Sequence, residues 1–150
     1  MTKLYLIRHG KAGQRFVDEK HDRRRELTKA GWHQAEAIAA FLARDLPRAF
    51  ISSPYVRCVQ TLEPAAKHAG MKVAIDARLA ERTTMSALEE LVAELRGARL
   101  DAAVCSHGNI IPALLELLEV WSPEANLTAK GSMHVVDLEA GTARYVPNNA

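Results

Sequence analysis

Four short apolar runs, Lys3 to Ile7, Ala49 to Ser52, Lys72 to Ile75 and Ala102 to Ser106, recur along the chain, separated by segments of helix length. That alternation constrains the fold more than any other feature. Lys3 to Ile7, apolar and bounded by charge, reads as a buried strand, and the other three runs read as further short strands. Strands joined by helical crossovers lie parallel rather than as hairpins. The expected fold is therefore α/β in three layers, a mostly parallel sheet with helices on both faces. With 150 residues, one domain spanning 1–150 is expected, long enough to bury a sizeable core.

The intervening segments carry helix signals of their own. Thr28 is placed to cap a helix running to about Arg44, with Ala35, Ile38, Ala39 and Leu42 on one face. Ser53-Pro54 reads as N-cap and first position of the next helix, which Pro64 should kink and Gly70 should stop. Ser86-Ala-Leu-Glu89 has the form of a capping box, opening a helix with Leu88, Leu91, Val92 and Leu95 on one face. Ile110 to about Val120 is apolar nearly all round and reads as a buried helix. Met133 to Leu138 and Thr142 to Val146 flank Glu139-Ala-Gly141 as a terminal hairpin. Residues 10–27 are polar and read as a long loop.

Ligands in such sheets bind beyond the carboxyl ends of the strands. The chemistry-bearing residues fall there. Arg8 and His9 follow the first run, Ser52-Ser53 the second, the Asp76 to Glu81 loop the third, and Ser106-His107 the fourth. Arg57 lies early in a helix whose N-terminus already favours an anion. Guanidinium forks match phosphate oxygens in bidentate fashion, so the implied ligand is a phosphoryl group. A neutral imidazole is a nucleophile at pH 7 and can be phosphorylated. Neighbouring arginines keep His9 neutral by disfavouring a further positive charge. His107 would donate to the phosphoryl oxygens, and Glu81 would act as acid and then as base. The competing reading of Glu81 is a plain ion pair with Arg78 or Arg82.

Other classes fare worse. A formal charge of +2 implies neither nucleic acid nor a membrane surface, and aromatic residues are only 5%, too few to interleave with the cations of Lys20 to Lys29. That run reads as a solvated segment, or as a device for recruiting an anionic substrate with Arg25 reaching the pocket. No apolar run of about 18 residues is present, and the N-terminus lacks the form of a signal peptide. Two cysteines suggest a reducing, cytoplasmic setting. Neither has an arginine six positions on, as a cysteine phosphatase loop requires, since Pro64 and Ile111 stand there. The histidines His21, His33, His68 and His134 share no metal-ligand spacing, so no metal or cofactor is expected.

Three ordered motifs, Arg8-His9-Gly10, Ser52-Ser53-Pro54-Tyr55-Val56-Arg57-Cys58-Val59-Gln60-Thr61 and Ser106-His107-Gly108, resemble the histidine phosphatase superfamily, also called phosphoglycerate-mutase-like. The resemblance spans Leu4 to about Leu138. It implies that His9 is the phosphorylated nucleophile, that Arg8, Arg57 and His107 complete the phosphate pocket, that Ser53 belongs to it, and that Glu81 occupies the position of the acid. Asp22-Arg-Arg-Arg25-Glu-Leu27-Thr28-Lys-Ala-Gly31 is similar to an element of small members, the SixA-type phosphohistidine phosphatases and phosphatase-like domains fused to Nudix hydrolases. Glu26 stands where that element usually has proline. The short span between the third and fourth strands and the Lys11-Ala-Gly13 stretch depart from the mutase pattern and argue against mutase activity. The implied substrate is phosphohistidine on a protein. The alternatives are a small phosphorylated metabolite, such as a sugar phosphate or nucleotide, or a module that binds phosphate without turnover. Oligomeric state is left open.

Overall fold

A computed structural model describes residues 1–150. Six strands, β1 (Lys3–Arg8), β2 (Ala49–Ser52), β3 (Val73–Ile75), β4 (Ala102–Ser106), β5 (Met133–Asp137) and β6 (Thr142–Val146), form one sheet in the order β3-β2-β4-β1-β5-β6. The first four are mutually parallel, because each crosses over through a helix or a long connection. The terminal hairpin adds β5 antiparallel to β1, with β6 at the edge. The three-layer α/β expectation is thus met.

Side-chain alternation along the strands splits the core in two. Leu4, Leu6, Val104 and Val136 point to one face, where α4 (Met85–Ala98) and α5 (Ile110–Leu117) bring Leu88, Leu91, Leu95, Ile111 and Leu114. Tyr5, Ile7, Phe50, Ala103 and Cys105 point to the other, against α2 (Lys29–Leu42) and α3 (Val56–His68) with Ile38, Leu42, Cys58 and Leu62. A one-residue slip of β1 would exchange these two sets, so the register with β4, Leu6 beside Val104 and Arg8 beside Ser106, is firmly fixed. That register sets Arg8 and His107 at the same sheet edge.

Several local expectations are corrected. Residues 10–27 are not all loop: Asp18 caps a short helix, α1 (Glu19–Arg23), by accepting from the Lys20 amide. This helix lacks an apolar stripe, which is why periodicity misses it. The second connecting helix starts at Val56 rather than Pro54; the Ser53 hydroxyl accepts only a long 3.3 Å bond from the Tyr55 amide and is shared with His107. It continues through Pro64 to His68, and Gly70, at φ +70°, ends the segment as expected. Thr84, not Ser86, caps α4, its hydroxyl accepting from the Ala87 amide. An extended, competent cap comes first in the chain, so Ser86 falls inside the first turn. The buried helix closes at Leu117, shorter than expected. No helix is long and apolar enough to cross a membrane.

Candidate active site

The tips of β1, β2 and β4 are neighbours in the sheet interior, and backbone bonds tie them together. The His9 amide donates to Ser106 O at 3.1 Å and the Ser53 amide to Cys105 O at 3.0 Å. His9 and His107 therefore face each other, ring centroids 5.6 Å apart and planes at 66°. Both are buried, at 4% and 1% exposure.

Each ring has its tautomer fixed by a neighbour. His9 Nδ1 lies 2.8 Å from the Gly10 carbonyl, which can only accept, so Nδ1 carries the hydrogen and Nε2 keeps its lone pair. Arg57 Nε donates to that Nε2 at a long 3.3 Å. Burial, followed by Arg57, Arg8 and Arg25, pushes the His9 pKa down to about 3. On the opposite ring, His107 Nε2 sits 2.9 Å from Ser53 Oγ. The Tyr55 amide already donates to that oxygen, so its hydroxyl hydrogen is free to go to His107. The hydrogen of His107 then resides on Nδ1, which is buried without a hydrogen-bond partner and lies 3.8 Å from Glu81 Oε2. Burial, then His9, Arg57 and Arg8, push the His107 pKa down to about 2. The two rings are thus neutral at pH 7, one offering a lone pair and the other a donor.

The guanidiniums are held from behind. Arg57 is fully buried, with Nη1 donating to Asp22 O at 2.9 Å and Nη2 3.3 Å from Asp22 Oδ2. Its guanidinium lies 4.8 Å from the centre of the Tyr55 ring, which also packs edge-on against His107 at 4.7 Å. Arg8 Nη1 donates to Thr128 O at 2.7 Å, whereas Arg8 Nε is buried without a partner. An unmet buried donor costs about 1–3 kcal/mol, and an anion between these groups would remove that cost at Arg8 and His107 together. Gly108 makes room for Arg8: a Cβ there would lie 2.9 Å from the guanidinium carbon.

Glu81 pairs with neither Arg78 nor Arg82. Arg78 is taken by Asp76, Glu90 and Glu94, and Arg82 by Glu19. The Glu81 carboxylate instead faces the site, with Oε2 3.0 Å from Arg15 Nη2 and 3.5 Å from Arg57 Nη2. Asn109 and Ser106 hold this segment by donating to Glu81 O and Leu79 O. Of the cations between Lys20 and Lys29, only Arg25 turns inward. It is buried, donates from Nη1 to Gly13 O at 2.7 Å, and lies with Nε 3.1 Å from Asp22 Oδ1.

The motif residues beside these act as struts. Thr61 Oγ1 donates to Arg57 O at 2.6 Å and accepts from the Gly10 amide at 3.0 Å, while Gln60 accepts from the Leu27 amide at 2.8 Å. Glu26, standing in place of proline, accepts from Gln60 Nε2 at 3.0 Å, so the segment is pinned without the ring. Gly31 is set by space alone, since a Cβ there would sit 2.0 Å from the Lys11 carbonyl oxygen. Sequence reasoning missed Asp22, Tyr55 and Arg15. Asp22 could have been read from its place at the head of its motif. Tyr55 and Arg15 carry no comparable signal.

Cys58 and Cys105 are fully buried, consistent with packing. His134 is buried and bonds the Leu127 carbonyl, a structural role, while His21 pairs with Asp18 at the surface. No three His, Cys, Asp or Glu side chains cluster as metal ligands would.

A parallel-centred sheet of this order, with two facing imidazoles and arginines at its carboxyl edge, defines a phosphoglycerate-mutase-like α/β protein. The chain belongs to the histidine phosphatase superfamily (branch 1), whose model matches residues 4–85. That match takes in Arg8, His9, Arg57 and Glu81, while His107 lies beyond it. The chain is 33% identical over 150 residues to an 8-oxo-(d)GTP phosphatase of Mycolicibacterium smegmatis, covering 93% of this chain but only 46% of that relative. It thus spans about half of that protein's length. The fold is shared with a protein from Nakamurella multipartitia assigned as the phosphohistidine phosphatase SixA (TM-score 0.75, 23% identity, 99% of this chain and 97% of that one). It is also shared with a mycobacterial glucosyl-3-phosphoglycerate phosphatase in complex with inorganic phosphate (TM-score 0.71, 22% identity, 100% and 98%).

Proposed function

We propose that the protein hydrolyses phosphoryl compounds through a covalent phosphohistidine on His9 Nε2. The observation that carries this reading is the complementary pair of neutral imidazoles, a lone pair at His9 Nε2 opposite a partnerless donor at His107 Nδ1. In the first step Nε2 attacks phosphorus, the N–P bond forms and the bond to the leaving group breaks. Arg8, Arg57 and His107 take up the charge on the phosphoryl oxygens. Glu81, in its acid form, gives its proton to the leaving atom. In the second step water attacks phosphorus, its proton passes to the Glu81 carboxylate, the N–P bond breaks, and His9 recovers its lone pair. Ser53 orients His107, and Asp22 and Tyr55 orient Arg57. His9→Ala should abolish turnover of an aryl phosphate with the fold intact, and turnover near the natural level in that variant would overturn the reading.

Phosphohistidine on a protein is the first substrate reading. A phosphoramidate nitrogen needs less help in leaving than an alkoxide, so Glu81→Gln should spare it relative to an alkyl phosphate. Large equal losses on both would contradict it. The second reading, a small phosphorylated metabolite, is favoured by cations at the mouth that no single phosphoryl group would use, and by the 33% identity to the 8-oxo-(d)GTP phosphatase.

A further inference from the structure

The phosphoryl pocket opens at Arg8 and His9 into a cavity of about 560 Å³, within the range of small-molecule sites. Arg8, His9, Arg15, Arg25, Thr28 and Lys130 line it, and no acidic side chain does. Arg8 and Arg57 already serve one phosphoryl group, so Arg15 and Lys130 are surplus to it.

Lys130 is an exposed residue at the rim of this cavity and lies within ion-pair distance of no acid in the chain. Its backbone is strapped to the nucleophile's strand. Gly131 N donates to His9 O at 3.0 Å, and Lys130 O accepts from Gln34 Nε2 at 3.1 Å. The lysine is thereby rooted at the rim of the cavity that His9 also lines. Burial, then Arg8, Arg25, Lys11 and Arg15, hold its pKa below the usual lysine range. Arg15 has Glu81 and Arg25 has Asp22, each on the side away from this lining, so Lys130 is the cation left without a counter-ion, and an anion in the cavity would supply one.

We infer that Lys130 and Arg15, together with Arg25, form a second anion subsite that selects small substrates carrying a second phosphate close to the one transferred. The inference rests on the assignment of the His9 pocket as the phosphoryl-transfer site and deepens the second substrate reading, a small phosphorylated metabolite, over the first. It names the substrate class as an oligophosphate or a compact bisphosphate. A phosphohistidine on a protein brings one phosphoryl group flanked by neutral amides, and would leave Lys130 unmatched.

Calorimetric titration of the His9→Asn protein, which cannot turn over, with inorganic phosphate and with pyrophosphate tests this. Pyrophosphate should bind about tenfold or more tighter than phosphate, the size of one charge-assisted hydrogen bond. Lys130→Gln should remove most of that ratio, and Arg15→Gln should reduce it too. Because Arg15 also holds Glu81, the lysine variant is the decisive one. A pyrophosphate advantage unchanged by Lys130→Gln, or equal loss of both anions, would overturn the subsite while leaving the phosphoryl pocket standing. If neither anion binds the parent protein, the phosphoryl pocket itself fails. With His9 intact, a phosphohistidine peptide turned over faster than every bisphosphate tried, and indifferent to Lys130→Gln, would also overturn the subsite.

Discussion

Gly108→Ala separates the placement of Arg8 from the fold that carries it. An added Cβ would lie 2.9 Å from Arg8 Cζ, 3.0 Å from Nε and 3.3 Å from Nη1. Relaxed carbon contacts need about 3.5–4.0 Å, so the guanidinium must withdraw by roughly 0.6–1 Å. The atoms that give way are the end of a flexible side chain, and Gly108 has no left-handed φ to defend. The loss of stability should therefore be small, about 1 kcal/mol or less. The effect on rate should be larger, because a misplacement of about 1 Å in a group that positions substrate costs on the order of 10²-fold, or about 2.7 kcal/mol. The withdrawal also strains the Arg8 bond to Thr128 O. The measurement is kcat/KM on an aryl phosphate beside a urea unfolding curve. The expected result is a loss of roughly 30–100-fold at a midpoint near that of the parent. Activity within about threefold of the parent, with the fold intact, would refute a role for Arg8 at the position described. Gross unfolding would refute the argument that only the arginine tip yields.

Asp22→Ala leaves Arg57, and the partly compensated Arg25, buried without their carboxylate, and should lower unfolding free energy by about 3–5 kcal/mol; a urea midpoint within error of the parent would contradict this. The folded pKa values of His9 and His107, about 3 and about 2, lie below the 6.5 of the unfolded rings, so the unfolded chain gains protons first as pH falls. Stability from this source is complete above pH 6.5 and drains below it by about 1.4 kcal/mol per pH unit for each ring, and His9→Asn should flatten that slope in urea curves at pH 7 and pH 5. Ser53→Ala removes the partner of His107 Nε2 and should lower kcat by about tenfold with KM little changed, whereas a loss confined to KM would speak against an orienting role.

The strands were legible because each is a short run rich in apolar residues, and the parallel sense of the first four followed from the crossovers between them. Arg8, His9, Arg57 and His107 were legible because they stand at strand tips or a helix start, where the sheet itself decides where they go. The helix start at Val56 was not, because Ser53 looks like a good cap until His107, 54 residues away, claims its hydroxyl. Glu81 had two arginines close by in sequence, and the carboxylates that draw them off are Asp76, Glu90, Glu94 and Glu19. Arg15 and Lys130 sit in polar stretches without periodicity, 115 positions apart in the chain, and nothing local marks them as neighbours. The lack of room at Gly31 comes from the Lys11 carbonyl, 20 positions earlier, and no local pattern announces it.

The bonds that tie the tips of β1, β2 and β4 together divide the molecule by how freely it can change. The reacting groups hang from the stiffest part of the sheet, so they cannot be re-aimed without remaking the interior. Arg15 and Lys130 sit on segments outside every strand and helix, and swapping such residues disturbs no ladder. Groups at the strand tips and groups at the rim can therefore diverge at separate rates, and a library confined to residue 14 and residues 129–130 is the place to vary the rim while leaving the Arg15–Glu81 pair and the Ala12–Leu27 bridge intact.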